Sequence, residues 1–320
     1  MKDGYARNID YLRLSVTDRC NLRCQYCMPP EGVVPKRPDE ILSYEELALI
    51  GKVAINCGLT KIRLTGGEPL VRKDLTSLVR YLASNPELTD LALTTNGTQL
   101  REHARPLREA GLRRVNISID TLDVEQYRWL TRGGNVAKVL DGVEAALEAG
   151  LRPVKINVVA LRPLAKGFVE IAKLIHDHYV HVRFIEHMPV GKGSFTRIES
   201  YISTAEIMAE LSQLGKLEPG GGPTGWGPAR YYSIKGAKGT VGFISPESGH
   251  FCGTCNRLRV TADGHLKSCL FMSQGVDLKP YLRGEKPESA LLEVFKLALV
   301  KKPKERPGRT TEGQMSQIGG

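Results

Sequence analysis

Lys61-Ile62-Arg63-Leu64-Thr65-Gly66-Gly67-Glu68-Pro69 is the stretch that decides the fold: a short run with apolar residues at every second position, broken at once by a polar, glycine-bearing turn. The same pattern recurs along the first half of the chain. Strands are predicted at Tyr11–Val16, Lys61–Leu64, Leu91–Thr95, Arg114–Ile119, Pro153–Val159 and His181–Ile185. Polar clusters follow them directly: Thr17-Asp18-Arg19-Cys20, Thr65-Gly66-Gly67-Glu68, Thr95-Asn96-Gly97, Asp120-Thr121 and Glu186-His187-Met188. Amphipathic helices are predicted between them, near Leu75–Leu82, Ala104–Ala110, Val136–Ala149 and Phe168–Asp177, and one begins at the capping box Ser43-Tyr44-Glu45-Glu46. Strand alternating with helix six times predicts a parallel sheet with right-handed crossovers. An open doubly wound sheet would spread the polar clusters along an edge, whereas a barrel gathers them at one mouth, where active sites form. The barrel is the better reading.

After Gly191 the rhythm stops. Ser203-Thr204-Ala205-Glu206 caps one more helix, residues 219–228 read as a Gly/Pro loop, and strands are predicted at Tyr231–Ser233 and Thr240–Ile244. There is no room for barrel units seven and eight. The fold class expected is therefore α/β, an incomplete (β/α)6 TIM-type barrel over residues 1–195, with an α+β extension over residues 196–320 that covers the lateral opening.

Composition narrows the function. Over 320 residues the net charge is +10, which suits nucleic acid, a membrane surface or an anionic small molecule. Aromatics make up only 6% and do not interleave with basic residues, which argues against a base-stacking surface. The basic run Lys301, Lys302, Lys304, Arg306 and Arg309 reads as a solvated segment. Leu291–Val300 is too short for a membrane span, which needs about 20 apolar residues. Residues 1–15 carry Asp3, Arg7, Asp10 and Arg13 and lack the apolar core of a secretion signal, so a reducing cytoplasm is expected.

Seven cysteines are present. Cys57, on an apolar helix face, reads as a buried structural thiol. The others form two triads. Cys20-x3-Cys24-x2-Cys27 lies just after the first strand. Three thiolates on one loop can hold three corners of a [4Fe–4S] cube and leave the fourth iron open. Zinc sites usually pair two CxxC-like halves, and no second half occurs in the first 250 residues. The second triad, Cys252-x2-Cys255-x13-Cys269, admits a zinc ribbon completed by His250 or His265 when taken alone. Arg257 and Arg259 follow Cys255 at alternate positions, so on an extended segment both face one way. Their forked donors suit phosphate.

CxxxCxxC with Tyr26 before the last cysteine resembles the signature of the radical S-adenosylmethionine (SAM) superfamily, and Gly66-Gly67-Glu68-Pro69 resembles that superfamily's motif for the SAM amino group. With Cys-x2-Cys-x13-Cys, Arg-x-Arg inside it and a terminal Gly319-Gly320, essentially the whole chain resembles the GTP 3′,8-cyclase family of molybdenum cofactor biosynthesis. This resemblance implies a lyase with two [4Fe–4S] clusters and SAM. In the family, one-electron cleavage of SAM yields a 5′-deoxyadenosyl radical that takes the 3′ hydrogen of the GTP ribose. The carbon radical attacks guanine C8, and reduction gives 3′,8-cyclo-7,8-dihydro-GTP.

Carried over residue by residue, Cys20, Cys24 and Cys27 match ligands of the SAM cluster. Tyr26, Gly67, Glu68, Ser118 and Met188 match SAM-binding positions. Cys252, Cys255 and Cys269 match ligands of the second cluster. Arg13, Arg63, Thr94, Lys155, Arg257, Leu258 and Arg259 match GTP contacts, with Arg257 and Arg259 also assigned to catalysis. Inward-facing cations in a barrel are costly unless an anion neutralises them, and a triphosphate does so. The segment 314–320 matches a tail that enters the active-site channel. The resemblance further implies a homodimer, a one-electron reductant such as flavodoxin or ferredoxin, and cyclic pyranopterin monophosphate synthase as recipient of the product, with neither nucleic acid nor membrane as partner. His187 departs from the apolar or aromatic residue expected before Met188 and reads as a packed neutral histidine. The competing readings are a peptide-modifying radical SAM enzyme and, from the charge, a zinc-bearing nucleic-acid-binding protein.

Overall fold

Every second residue of the six predicted strands is apolar, and the structure turns all of these to one side. The computed structural model describes residues 1–188, 190, 200–223, 227–308 and 315–319. β1 (Tyr11–Ser15), β2 (Lys61–Thr65), β3 (Asp90–Thr95), β4 (Arg114–Ser118), β5 (Val154–Ala160) and β6 (Val180–Glu186) lie side by side in that order, all parallel. Helices Tyr44–Asn56, Leu75–Ala83, Leu100–Glu109, Val136–Glu148 and Phe168–Asp177 connect them. Register aligns Leu14, Leu64, Leu93, Val115 and Val154 in one row and Ile117, Ile156 and Val182 in another. All are fully buried. Burying each such side chain is worth about 1.5–3 kcal/mol, so this face fixes which way the sheet points.

The expectation of six parallel strands is extended. β9 (Thr240–Ile244) pairs in parallel with β6, and β10 (Arg257–Val260) pairs in parallel with β1. Eight parallel strands therefore stand in the order β10-β1-β2-β3-β4-β5-β6-β9. The short antiparallel strands β8 (Arg230–Ser233) and β7 (Glu218–Pro219) close one edge, and β11 (His265–Lys267) and β12 (Val276–Asp277) the other. β9 and β10 do not pair, and residues 245–256 run from the end of one to the start of the other. The 195/196 boundary lies outside the described residues. Strands from beyond it complete the same sheet as strands before it, so the extension is part of the wall as well as its cover.

Local signals account for the helix starts. Ser43 with Glu46 and Ser203 with Glu206 form reciprocal capping boxes, as predicted. Helix Val124–Thr131 was not expected; Asp123 caps it by accepting from the Gln126 N–H. Leu291–Val300 belongs to helix Pro287–Val300, and no helix among the described residues is long and apolar enough to cross a membrane. The reading of the basic run as solvated is corrected at Lys302, which is buried because three acceptors meet its ammonium; Lys301 and Lys304 are exposed, and Arg309 lies outside the described residues. Cys57 is buried, as expected.

Phe184 of β6 meets Phe168 edge-on at 5.2 Å and stacks on Phe243 of β9 at 6.1 Å, joining helix, core sheet and added strand. Phe184→Ala is expected to cost about 3–5 kcal/mol, read as a lowered denaturation midpoint of the apo-protein; a loss under about 1 kcal/mol contradicts this packing.

Candidate active site

The face opposite the apolar rows is lined with charge. Arg13 is level with Arg63 on one side and with Arg259 on the other, while Lys155 is level with Asn116 and His181. Arg63, Lys155, Arg183 and Arg259 are all buried. A cavity of about 280 Å³ is bounded by Lys61, Arg63, Asp90, Arg114, Lys155 and Arg183, which come from five different strands. Lys61 pairs with Asp10, and Arg114 donates to Asp90 at 2.8 Å. Among the described residues, no carboxylate lies within ion-pair distance of Arg63, Lys155, Arg183, Arg257 or Arg259. The Nε atoms of Arg183 and Arg257 are buried without a partner. Burial and neighbouring cations push Lys155 down to about 6 and Arg63 and Arg259 down to about 10; burial, then Arg259 and Arg63, lower Arg13 strongly. Such a wall fits a polyanion, which restores the charged forms.

The first triad stands at the mouth of β1. Cys20, Cys24 and Cys27 are half-buried thiols on a turn closed by the Cys27 N–H donating to the Cys24 carbonyl at 2.9 Å. The glycines that follow β2 let this loop close: a Cβ on Gly67 would stand 2.3 Å from the Arg19 carbonyl oxygen, and one on Gly66 2.8 Å from that of Thr17. The Tyr26 hydroxyl donates to Asp120 at 2.8 Å, and the Val159 N–H donates to the other oxygen of Asp120. Burial and the neighbouring Cys27, Asp120 and Cys20 push Cys24 well above the usual thiol range, and burial pushes Cys20 up to about 11. Crowded half-buried thiols whose thiolate forms repel one another ionise beside strong positive charge, which iron supplies, so the donor set fits an iron–sulfur cluster.

Glu68 reaches the same mouth, but its observed partners are internal: Leu70 N–H at 3.0 Å, Thr95 hydroxyl at 2.7 Å and Asn96 N–H at 2.6 Å. Burial pushes its carboxyl up to about 7 against those donors. Ser118 and Thr94 sit on β4 and β3 and are half-buried.

The second triad lies at the gap in the wall. Met188, His250, Phe251, Cys252, Cys255, Arg257, Arg259, Cys269 and Phe271 bound a further cavity of about 100 Å³. Met188 is therefore placed beside the second triad. Burial raises the Cys255 thiol, but Lys302 and Arg257 outweigh it and hold it below its usual value. Arg257 lies over the Phe251 ring at 5.3 Å. On β10 Leu258 alternates to the other face, level with Leu12, and its side chain packs in the core, which leaves its backbone to face the nucleotide. His187 is buried, shares a hydrogen with the Ser200 hydroxyl at 2.8 Å and is pushed down by burial, so it is neutral as expected. Gly319 enters the lumen, where its carbonyl accepts from Arg13 at 3.2 Å, Arg259 at 3.3 Å and Thr65 at 3.3 Å; Gln314 and Gly320 lie outside the described residues. Sequence reasoning missed Lys61, Arg114 and Arg183, which the alternation of β2, β4 and β6 would have found, and it placed Asp120 in a polar cluster at the mouth without giving it a role.

The parallel wall and the thiol-bearing loop at its mouth define a radical SAM enzyme. Residues 14–175 match the model of the Radical SAM superfamily, which implies a [4Fe–4S] cluster and SAM, and residues 180–307 match Molybdenum Cofactor Synthesis C. The chain is 48% identical to the GTP 3′,8-cyclase of Pelotomaculum thermopropionicum and 47% identical to that of Moorella thermoacetica, each over 100% of both chains. It belongs to the GTP 3′,8-cyclase family. Among solved structures, Streptococcus suis SuiB bound to S-adenosylmethionine superposes with a TM-score of 0.60 at 14% identity, covering 90% of this chain and 66% of that one, a likeness of fold.

An unfolded lysine titrates at about 10.4, whereas burial and the neighbouring Arg183 hold Lys155 in the fold down at about 6. Between those values folding releases a proton, so the stability of the apo-protein rises with pH from about 6 upward. Lys155→Met is expected to flatten that rise in thermal melts between about pH 6 and 9; an unchanged slope contradicts the assignment.

Proposed function

We propose that this chain catalyses the 3′,8-cyclisation of GTP, the first step of molybdenum cofactor biosynthesis. The observation that carries the reading is the row of inward-facing cations, half-buried Arg13 with buried Arg63, Lys155 and Arg259, on a sheet that has one thiol triad after β1 and another beside Arg259. Cys20, Cys24 and Cys27 would hold the first [4Fe–4S] cluster, and Cys252, Cys255 and Cys269 a second. When bound, the first cluster and SAM supply one-electron chemistry that removes the 3′ hydrogen of the ribose.

The remaining work belongs to the chain. Tyr26, Gly67, Ser118 and Met188 hold SAM, with Tyr26 oriented by Asp120. Arg13, Arg63 and Lys155 take the triphosphate, and Arg257 and Arg259 fix the nucleotide beside the second triad. Held at both ends, the nucleotide keeps C8 close to the ribose 3′ carbon, and the enclosed lumen keeps water from the reacting atoms. Gly319 adds a carbonyl at the Arg13–Arg259 pair. The reading includes a cytoplasmic homodimer, a reductant such as flavodoxin or ferredoxin, and cyclic pyranopterin monophosphate synthase as recipient of the product.

Anaerobic incubation with SAM, GTP and dithionite is expected to give 5′-deoxyadenosine and a cyclised nucleotide by mass analysis; their absence with clusters intact overturns the reading. Arg259→Ala is expected to weaken anaerobic GTP binding at least ~10-fold, in keeping with the loss of a charge-assisted hydrogen bond. Unchanged affinity contradicts its place in the site.

A further inference from the structure

Lys302 follows the long C-terminal helix in a run rich in exposed lysines, yet it is only 3% exposed. Its ammonium donates to the Ser268 carbonyl at 2.6 Å, the Arg257 carbonyl at 2.8 Å and the Cys255 thiol at 3.6 Å. An ammonium has three donors, so this set uses them all. The acceptors lie on both segments that carry the second triad: Arg257 is two residues past Cys255, and Ser268 directly precedes Cys269. Among the described residues, no carboxylate lies within ion-pair distance of Lys302. A buried ammonium costs several kcal/mol unless an anion faces it, and the groups able to carry that charge here are the thiols of Cys255 and Cys269.

The segment is held in place. Arg7 donates to the carbonyls of Cys252 at 2.8 Å, Pro303 at 2.7 Å and Lys304 at 3.1 Å, and Arg306 pairs with Glu247 and lies over the Phe271 ring at 5.3 Å.

We infer that Lys302 is a positioning residue for the second triad and the resident countercharge of the group those thiols hold. The inference rests on the reading of Cys252, Cys255 and Cys269 as cluster ligands. Three thiolates outweigh the charge of an oxidised iron–sulfur cube, and reduction adds another negative charge. A fixed ammonium donating to a ligand sulfur therefore favours the reduced form.

The test uses the full chain carrying Cys20→Ala, Cys24→Ala and Cys27→Ala, so that only the second triad loads on anaerobic reconstitution with iron and sulfide. Its midpoint potential is read by dithionite titration followed by electron paramagnetic resonance. Lys302→Met removes charge and donor and is expected to disfavour reduction about tenfold, a negative shift of about 59 mV for one electron. Lys302→Gln keeps a donor and is expected to shift the potential less. The apo-protein Tm of both variants is expected to stay at that of the parent. Failure of both variants to load iron at an unchanged apo-protein Tm also supports the inference. An unchanged potential in Lys302→Met overturns it, as does a lowered apo-protein Tm that accompanies cluster loss in both variants. A parent chain that takes up no iron overturns the reading of the second triad itself, and the inference with it, before Lys302 is touched.

Discussion

Positive charge enclosed by a single curved sheet is the constraint on which the rest of this molecule depends. Strand alternation sends Leu, Ile and Val toward the helices and, by the same two-residue period, sends Arg13, Arg63, Lys155, Arg183 and Arg259 inward. The apolar face stabilises the fold, and the inner face works against it. A barrel filled with branched apolar side chains would be a closed core; this one keeps a cavity and a field. A ligand that neutralises the field returns stability to the fold, about 2.7 kcal/mol at a hundred times its dissociation constant.

The same economy governs the two thiol triads. At the first, close backbone approach does the positioning: Gly66 and Gly67 allow the end of β2 to pack on Thr17–Arg19, while Asp120 on the far side holds Tyr26. At the second, long-range polar contacts do it. The buried Glu186 carboxylate at the end of β6 accepts from the N–H groups of Thr204 at 3.0 Å, Glu247 at 2.9 Å and Ser248 at 2.8 Å. It thereby fixes the segment that leads to Cys252. Arg7 from the start of the chain and Lys302 from near its end close over that segment. Residues far apart in sequence thus converge on one small cavity.

What was legible in the sequence was local. The βα rhythm, the capping boxes at Ser43 and Ser203, the glycine turn of β2 and the spacing of both cysteine triads each depend on neighbours a few residues away. The inward direction of Arg257 and Arg259 followed from alternation alone, although the same rule should have excluded the Leu258 side chain. What was not legible depended on spatial order. Nothing near Thr240 or Arg257 announces that β9 lies beside β6 and β10 beside β1. Lys302 looked like its exposed neighbours because the carbonyls that satisfy it come from 34 and 45 residues away. Asp120 carries no motif; its role appears only once β4 brings it under Tyr26.

A crystal structure grown without oxygen, with iron–sulfur centres loaded and GTP bound, tests the central claim most directly. The account predicts one continuous chamber, with the purine against Cys252, Cys255 and Cys269 and the phosphates against Arg13, Arg63 and Lys155. Two triads opening onto separate cavities, or a nucleotide bound away from the cationic wall, would contradict it.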